Sequence, residues 1–275
     1  MRVFIFGGTR GLGLALAKHY LQNGHTVAIA GRNSARIAAI AIPNDANLHC
    51  YTLDIGDSSA VHSALNEYAA AAHVSKQGLD LVIVTAGLYF NDRQHALDAA
   101  STRAMLETNV NGLSHVLQHA SAIMLQQLSC RLVCQGKQLS CRLVCQGKQN
   151  AGQIAAVASI AGLLSDYPGA SVYSATKRSV LQLCNTYQRA LIGFGIHVTT
   201  IIPGYIDTER LRELNGGNAQ HKPFLVSEAF AVEKIVAAIA GRAQFCAFPW
   251  QMHLLVRVIG VLPKWLQKVI LLRKS

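Results

Sequence analysis

Short runs of apolar residues recur along the chain and alternate with longer stretches in which apolar residues have helical spacing. Uninterrupted apolar runs are typical of strands in a parallel sheet that helices cover on both faces. They predict strands at Val3–Phe6, His25–Ala30, Leu48–Leu53, Leu81–Val84, Ile154–Ala158 and Ile196–Ile202, with Gln244–Phe248 as a seventh. The alternation therefore predicts an α/β fold, a doubly wound parallel sheet of six to seven strands with helices on both faces.

Helical periodicity fills the intervals between these runs. It predicts helices at Leu12–Asn23, Ser58–Val74, Asp92–Glu107, Thr108–Leu128 and Ser171–Gly193. Ser227 is predicted to cap a further helix that ends at Ala240, because a serine before an apolar periodic stretch satisfies free backbone N–H groups.

Composition fits one large domain with a tail. The 275 residues suit a single α/β domain over residues 1–249, followed by an apolar and basic tail over 250–275. Hydrophobic residues make up 51% and charged residues only 14%, so a large core is expected. No apolar stretch is long enough to span a membrane, and Met1 and Arg2 run directly into a strand without a signal peptide pattern. We therefore expect a cytoplasmic location.

The formal net charge of +11 suits an anionic partner. The basic residues neither form short dense runs nor interleave with aromatic residues, so nucleic acid is not predicted as that partner. A phosphorylated cofactor and an anionic lipid surface both remain possible explanations for the charge.

Residues 128–138, LSCRLVCQGKQ, are repeated without a change at 139–149. The repeat contains four of the seven cysteines, Cys130, Cys134, Cys141 and Cys145, whose spacing is compatible with a zinc site. The second pair follows automatically from the duplication, however, so we favour a recent tandem insertion and predict no metal. In a parallel sheet such an insertion before the fifth strand lies on the rim opposite the ligand-binding edge.

A glycine-rich turn follows the first predicted strand. Gly7, Gly11 and Gly13 have the spacing G-x-x-x-G-x-G and open a predicted helix. A strand, a glycine turn and a helix form the context in which backbone N–H groups at a helix N-terminus bind a dinucleotide phosphate.

Tyr173 and Lys177 stand four residues apart in a predicted helix, so they share one face. A nearby ammonium favours the phenolate form of a tyrosine, which predicts that Lys177 lowers the pKa of Tyr173 toward the range useful in acid–base chemistry. Ser159 lies fourteen residues before Tyr173, at the end of a predicted strand.

The glycine turn, the serine and the Tyr-x-x-x-Lys pair together resemble the short-chain dehydrogenase/reductase family, from Arg2 to about Phe248. The resemblance implies a Rossmann-type fold and an enzyme that transfers hydride between a nicotinamide cofactor and a carbonyl or alcohol. It implies four catalytic residues, Asn109, Ser159, Tyr173 and Lys177. The implied cofactor site comprises Gly7, Thr9, Arg10, Gly11, Leu12, Gly13, Arg32, Asp54, Ala86, Gly87, Tyr173, Lys177, Pro203, Gly204, Ile206 and Thr208.

Particular roles also follow from the resemblance. Asp54 matches the residue on the adenine side, and the backbone carbonyl of Asn109 matches the group that holds a water beside the lysine. Ile206 and Thr208 match the residues at the carboxamide end of the nicotinamide, and residues 207–226 match a mobile substrate loop. Two departures affect local hydrogen bonds: Phe6 replaces a threonine, and Val84-Thr85 replace two asparagines.

The second strand predicts the cofactor type. NAD-binding proteins of this class have an acidic residue there, whereas an arginine accommodates the 2′-phosphate of NADP. Here Gly31 occupies the acidic position, Arg32 follows it, and Arg10 adds a second positive charge. These residues favour NADP(H) over NAD(H).

The substrate is predicted as a small apolar carbonyl or alcohol. The candidate lining residues are mostly apolar and contain no arginine that would bind a carboxylate: Leu88, Tyr89, Leu163, Leu164, Tyr167 and Tyr205. A non-catalytic protein that binds or senses NADP(H) on the same fold is the alternative function. The resemblance further implies a homodimer or homotetramer.

The tail from Trp250 is rich in Leu, Val, Ile and Trp and is interrupted by Pro263. Beyond the proline, helical spacing places Trp265, Leu266, Val269 and Ile270 on one face and Lys264, Gln267 and Lys268 on another. Such a basic amphipathic segment suits peripheral contact with a membrane surface. A lid over the substrate pocket and a subunit contact are the alternatives.

Overall fold

The computed structural model describes residues 1–40, 46–71, 78–90, 98–134, 151–163, 171–263, 265–267 and 269. Within these ranges the chain forms one main sheet with helices on both faces. Its strands are β1 Arg2–Phe6, β2 Thr26–Gly31, β3 Leu48–Thr52, β4 Leu81–Val84, β5 Gly152–Val157, β6 Ile196–Pro203 and β9 Phe245–Phe248. The described strands are ordered β3-β2-β1-β4-β5-β6-β9 and all pair in parallel, which confirms the predicted doubly wound sheet with its seventh strand.

The helices are α1 Gly11–Gln22, α2 Ser34–Ala38, α3 Ser58–Ala70, α4 Ala99–Leu106, α5 Gly112–Cys134, α6 Val172–Leu191, α7 Glu209–Glu213, α8 Glu228–Ala240 and α9 Trp250–Val261. A π-helical turn, Glu107–Asn111, joins α4 to α5, and 3₁₀ turns lie at Ile160–Leu163 and Ile192–Phe194. Ser227 caps α8 as predicted, since its side chain accepts a hydrogen bond from Phe230 N at 3.2 Å.

The main sheet separates two apolar layers, as the alternation of side chains along a strand requires. Phe4 and Phe6 of β1 enter one layer, while Val3 and Ile5 enter the other. The helix residues that pack on the sheet include Leu65 of α3, Leu117 of α5 and Val180 of α6 in the first layer, and Leu16 of α1 and Ile235 of α8 in the second. Fully burying one such leucine or isoleucine stabilises the fold by about 1.5–3 kcal/mol.

The central strands end at a common edge, where the chain turns into the predicted site. Gly7 follows β1, residues 85–87 follow β4, Ser159 follows β5 after Ala158, and Gly204 follows β6. Ligands of open parallel sheets bind outside the carboxyl ends of the strands. Beside this edge, β7 Ile206–Asp207 pairs in parallel with β8 Val226–Ser227, which joins the two ends of the predicted substrate loop.

The described start of the duplicated segment is helical. Helix α5 extends six residues beyond its predicted end at Leu128 and includes most of the first copy. Ala151, just before β5, donates from its backbone N to Gly195 O at 3.0 Å, at the amino edge of the strands and opposite the glycine turn. Residues 135–150, with Cys141 and Cys145 and the rest of the repeat, lie outside the described residues.

The tail forms α9 and then changes course at Pro263. Gln267, predicted on the polar face, is buried instead, because its side-chain amide donates to Leu262 O at 2.8 Å and Gly260 O at 3.4 Å. Lys264, Lys268 and Ile270 lie outside the described residues. Within the part of the chain that is described, no helix is both long and apolar enough to cross a membrane.

Candidate active site

A capping box fixes the first turn of α6, which carries the predicted catalytic tyrosine. The Ser171 side chain accepts from Ser174 N at 3.1 Å, and Ser174 Oγ accepts from Ser171 N at 3.1 Å. These reciprocal bonds satisfy N–H groups that the helix leaves free. Tyr173 therefore projects from an ordered helix start at the carboxyl edge of the sheet.

The Ser159 hydroxyl lies beside the Tyr173 phenol, close enough to lower the pKa of the phenol as a hydrogen-bonding neighbour. The turn after β5 holds the serine, because Ser159 Oγ accepts from Ala161 N at 3.2 Å and Ser159 O accepts from Gly162 N at 3.0 Å. On its other side Tyr173 meets Tyr89, with ring centroids 5.0 Å apart and planes at 87°. The structure thus brings together the predicted serine and tyrosine next to one of the predicted pocket residues.

Burial raises the pKa of Tyr173 to about 12, the bond from Ser159 opposes the shift, and Tyr89 and Tyr205 add to it. At neutral pH the tyrosine is therefore a phenol, the form that can donate a proton. The sequence-based prediction that Lys177 lowers this pKa is not what the geometry shows. The Lys177 ammonium lies 5.7 Å from the centre of the Tyr173 ring. Burial, and not the charge of Lys177, sets the direction in which this pKa moves.

Lys177 lies on the same helix face as Tyr173 and points toward the end of β5. Its Nζ donates to Val157 O at 3.0 Å, and only 5% of the residue is exposed. Burial lowers the pKa of Lys177 to about 8. The lysine is therefore mostly charged at pH 7 and becomes neutral in mildly alkaline solution.

Asn109 sits inside the π-helical turn rather than at a simple helix start. The turn is closed by a bond from Gly112 N to Glu107 O, one residue wider than in an α-helix. The buried Asn109 side chain accepts from Leu88 N at 2.7 Å and donates to Leu88 O at 2.9 Å and to Thr176 Oγ1 at 3.0 Å. Asn109 thus joins the loop after β4 to helix α6 through hydrogen bonds, a role that the sequence did not reveal.

Gly87 lies next to the polar groups of both Asn109 and Lys177. A Cβ at residue 87 would lie 3.3 Å from Lys177 Nζ and 3.4 Å from Asn109 Oδ1. The glycine after β4 thus leaves just enough room for both polar groups. The catalytic residues implied by the resemblance (Asn109, Ser159, Tyr173 and Lys177) therefore form one connected cluster.

The glycine turn packs tightly against the loop after β4. Gly7 has φ +88°, and a Cβ there would lie 2.6 Å from Ala86 N, so both its backbone conformation and the space require glycine. Thr85, noted from the sequence as a departure from the family, donates from Oγ1 to Phe6 O at 3.0 Å, and Ala86 N donates to the same oxygen at 3.0 Å. Thr85 therefore supports the glycine turn, a role that the sequence did not reveal.

Helix α1 begins with free backbone donors. Its N-cap residue Arg10 provides no side-chain cap. Gly11 has φ +48°, and a Cβ there would lie 3.7 Å from its nearest neighbour, Thr208 Cβ. This open helix start fits a phosphate group, which accepts hydrogen bonds from such N–H groups. Leu12 is half-buried and packs against the second apolar layer below.

The loop after β6 closes the other side of the glycine turn. Pro203 ends β6 and pairs with Phe248, and Gly204 N donates to Phe248 O at 2.8 Å. Ile206 O accepts from Thr208 N at 2.8 Å, and Thr208 Oγ1 accepts from Leu211 N at 3.3 Å as the cap of α7. Thr208 thus lies beside Gly11, with Ile206 two residues before it in the chain.

The end of β2 carries the charges predicted to select the cofactor. Gly31 packs on Thr9, since a Cβ at residue 31 would lie 2.5 Å from Thr9 Cγ2, which explains why no acidic side chain stands there. Arg32 pairs with Asp54 at 3.7 Å, and the Asp54 carboxylate also accepts from Gly56 N at 2.9 Å. Both side chains remain about half exposed, so the pair adds little stability and leaves the guanidinium accessible.

Arg10 lies at the same rim and pairs with Glu213 of α7 at 3.8 Å. Burial lowers the pKa of Arg10, and the nearby charges of Arg36 and Arg210 act in the same direction. Arg36 was not singled out from the sequence. Its proximity to Arg10 adds a further cation to this rim.

The predicted pocket residues divide into three groups. Tyr89 and Tyr205 both lie close enough to Tyr173 to affect its pKa. Leu88 is bonded to Asn109, while Leu163 packs with Ile160 against the tail. Leu164 and Tyr167 lie outside the described residues. Among the described residues, no group of three or more His, Cys, Asp or Glu could hold a metal ion.

The parallel sheet and the cluster at its carboxyl edge place the chain among the Rossmann-type oxidoreductases. A family model described as short chain dehydrogenase matches residues 1–219, and the chain belongs to that family.

Several relatives are similar over most of their length. An oxidoreductase of Myxococcus xanthus is 27% identical over 262 residues, which cover 94% of this chain and 91% of the relative. A sulfoacetaldehyde reductase of Chromohalobacter salexigens is 30% identical, with 78% and 76% covered. A serine 3-dehydrogenase of Agrobacterium fabrum is 28% identical, with 79% and 77% covered.

Solved structures agree in fold. A short chain dehydrogenase from Burkholderia cenocepacia in complex with NADP superposes with a TM-score of 0.72 at 20% identity and covers 94% of this chain and 92% of that one. A serine dehydrogenase from Escherichia coli has a TM-score of 0.60 at 26% identity, with 74% and 83% covered.

Proposed function

We propose that this protein is an NADP(H)-dependent reductase that converts the carbonyl group of an apolar small molecule to an alcohol, or catalyses the reverse oxidation. The observation that carries the proposal is the position of the Ser159 hydroxyl beside the phenol of Tyr173, one helical turn from Lys177. A protonated phenol and a second hydroxyl at one point suit a carbonyl oxygen that gains negative charge and then a proton.

Each residue has a distinct proposed role. Tyr173 Oη donates the proton to the substrate oxygen, for which its raised pKa is suited in the reductive direction. Ser159 donates a hydrogen bond to the same oxygen and stabilises its developing charge. Lys177 supplies a positive charge at the inner end of the site. Asn109 holds Leu88 and Thr176 in place beside Lys177 through its hydrogen bonds. When bound, the reduced nicotinamide supplies the hydride to the carbonyl carbon.

The cofactor preference rests on Arg10, Arg32 and Arg36 at the rim beyond β2. The uncapped start of α1 would hold the pyrophosphate, and the arginines would hold the 2′-phosphate that distinguishes NADP from NAD. The Burkholderia structure in complex with NADP and the name NADP-dependent 3-hydroxy acid dehydrogenase of a Salmonella typhi relative support this choice.

The proposed substrate class rests on Tyr89, Tyr205 and Leu163 around the cluster. Apolar and aromatic walls favour a carbonyl compound with an apolar body. Relatives named for serine and sulfoacetaldehyde act on small charged molecules, and Lys222, whose Nζ lies 5.6 Å from the centre of the Tyr205 ring, would be the cation for such a substrate here. A substrate panel must therefore contain both kinds.

The test is NADPH oxidation by the purified protein over apolar ketones and aldehydes, with sulfoacetaldehyde and a β-keto acid as charged comparisons. Turnover that is greatest with apolar substrates supports the proposal. A preference for the charged substrates rejects the apolar substrate class but agrees with the proposed reductase activity. Tight NADPH binding without any turnover would identify a cofactor-binding sensor.

The proposed cellular setting is the cytoplasm. We expect a homodimer or homotetramer there, because the family resemblance implies one. Peripheral contact of the tail with a membrane surface is also part of the proposal and is supported by its apolar and basic composition.

A further inference from the structure

Helix α9 has one face on the protein and an opposite face open to solvent. Met252, Val256 and Ile259 point inward, and Val256 packs against Ile160 and Ile202 beside the candidate site. These three positions follow the i, i+4, i+7 spacing of a single helix face. Helix α9 is therefore packed on the protein by its inner face, and its outer face is exposed to solvent.

The outer face is strongly apolar. Trp250 is 68% exposed, Leu254 53%, Val258 48% and Val261 84%, and all four fall within about 80° on the helix. Trp265, just beyond the helix, is also 68% exposed. We call these five residues the α9 outer face. Exposed apolar residues that adjoin one another on a surface mark interaction sites more often than single exposed apolar residues do.

The charged residues in the sequence of the tail are all of one sign. From Trp250 to Ser275 the sequence contains no Asp or Glu, and its basic residues are Arg257, Lys264, Lys268, Arg273 and Lys274. Arg257 belongs to α9 and adjoins the outer face at about 20° from Trp250. Exposed apolar residues with tryptophans, bordered by an arginine in a segment that lacks acidic residues, fit the interface of a bilayer with anionic headgroups.

A second copy of the chain fits this face less well. A symmetric contact would place two identical surfaces together, each bordered by Arg257. Like charges brought together at an interface oppose association. We therefore propose that the α9 outer face docks on anionic phospholipid bilayers. This inference rests on the peripheral membrane contact in the proposed function and specifies its residues and its lipid charge.

The experiment uses the full chain and sedimentation with vesicles of either phosphatidylcholine alone or equal parts phosphatidylcholine and phosphatidylglycerol. The test variant is Leu254→Asp with Val258→Asp. The matched control is Ile192→Asp with Phe194→Asp, which places the same charges on two exposed apolar residues at the opposite edge of the sheet (41% and 37% exposed). Circular dichroism of each variant checks that it is folded.

We expect the wild type and the control to sediment with the anionic vesicles at about 0.05 M salt and to be released at about 0.5 M. The test variant should bind at least about tenfold more weakly, since two carboxylates enter the apolar face. Equal binding to neutral vesicles, or equal binding of the test variant, overturns the proposal. Absence of wild-type binding, together with a smaller oligomer of the test variant on light scattering, assigns the face to a second copy.

Reductase activity on a water-soluble ketone without vesicles separates this inference from the proposed function. If vesicles bind but no carbonyl is reduced, the proposed function fails and the membrane surface stands. If carbonyls are reduced equally by all three proteins but no vesicle binds, only the membrane surface is rejected.

Discussion

The side-chain amide of Asn109 donates to Thr176 Oγ1 at 3.0 Å, which joins the π-helical turn to helix α6. The same threonine hydroxyl donates to Tyr173 O at 2.8 Å. Thr176 therefore lies between the Asn109 side chain and the backbone of Tyr173, the proposed proton donor. It belongs to the Tyr-x-x-x-Lys segment but matches no position of the motif.

This relationship predicts that Thr176→Val damages both stability and turnover, although valine has nearly the same shape. The change leaves one N–H of the buried Asn109 amide without its partner, at a cost of about 1–3 kcal/mol. For a chain of this size that corresponds to a lower Tm by about 2–4 °C per kcal/mol. Thermal unfolding and steady-state kinetics measure the two effects.

The matched control is Ser179→Ala on the same helix, which removes an exposed hydroxyl that donates to Ala175 O at 3.2 Å. It should change Tm and kcat much less. Equal small effects of the two substitutions would show that the Asn109 bond does not support the site.

The sequence was sufficient to predict the sheet and the residues at its carboxyl edge. Buried parallel strands are continuous apolar runs, and the motif residues Gly7, Ser159 and Gly204 directly follow such runs. Strand bounds therefore agreed within a residue or two. Helix ends were less accurate, as for α3, which ends at Ala70 rather than Val74.

Contacts between distant residues could not be predicted in this way. The π-helical turn depends on which carbonyl Gly112 N reaches, and Asn109 finds Leu88 and Thr176 only through the tertiary fold. The pKa of Tyr173 was predicted from the spacing of Lys177 alone, whereas burial, which a motif does not encode, raises it. Gln267 was assigned to a polar face from helical spacing alone, which does not show that its amide reaches back to Leu262 O and Gly260 O.

Tyr173→Phe should remove nearly all turnover and leave NADPH affinity almost unchanged, because it deletes only the proton donor. A residual activity above about a tenth of wild type, a loss under about 1.4 kcal/mol in activation free energy, would falsify the assignment. Tyr89→Phe is the control, since it removes a hydroxyl from the neighbouring ring but leaves the Tyr173–Ser159 bond. NADPH affinity by fluorescence titration and kcat distinguish the two variants.

The pKa of Lys177, lowered to about 8 by burial, predicts a pH limit to carbonyl reduction. The ammonium is present below that pH and is lost above it, so kcat/KM should fall as the pH rises through about 8. Lys177→Arg should be slower, but its kcat/KM should not show this fall, because a guanidinium stays charged. A wild-type profile that is flat to about pH 9.5 contradicts a role for the ammonium, since kcat/KM reports groups of the free enzyme.

Arg32→Ala should weaken NADPH binding by about tenfold or more while changing NADH binding less than about twofold. A charge-assisted hydrogen bond to the 2′-phosphate contributes about 1.5–3 kcal/mol, and NADH lacks that phosphate. Loss of the half-exposed Arg32–Asp54 pair should hardly alter Tm. The control, Arg189→Ala, removes an exposed arginine from the far end of α6. Equal weakening of both cofactors by Arg32→Ala indicates that Arg32 does not contact the phosphate.

A chain of hydrogen bonds between α3 and α5 predicts a loss of stability in mild acid. Asn66 Nδ2 lies 2.9 Å from His62 Nε2, His62 Nδ1 lies 3.3 Å from His119 Nδ1, and His119 Nε2 lies 2.9 Å from Ser58 Oγ. One tautomer of each ring satisfies every link: Asn66 donates to His62, His62 donates to His119, and His119 donates to Ser58. In this arrangement the His119 ring accepts a hydrogen bond at Nδ1 and is neutral.

The pKa of His119 is lowered accordingly, first by burial and then by the charges of His62 and His115. Below its usual value of about 6.5 the unfolded chain binds a proton that the folded protein excludes, so stability falls as the pH falls through this window. The difference in Tm between about pH 7.5 and about pH 5 should therefore be smaller in His119→Asn than in wild type. Other histidines with lowered pKa contribute equally to both proteins and cancel. The control is His221→Asn, at an exposed position, which should show the same difference in Tm between the two pH values as the wild type. If His119→Asn also shows the wild-type difference in Tm, the histidine chain does not form.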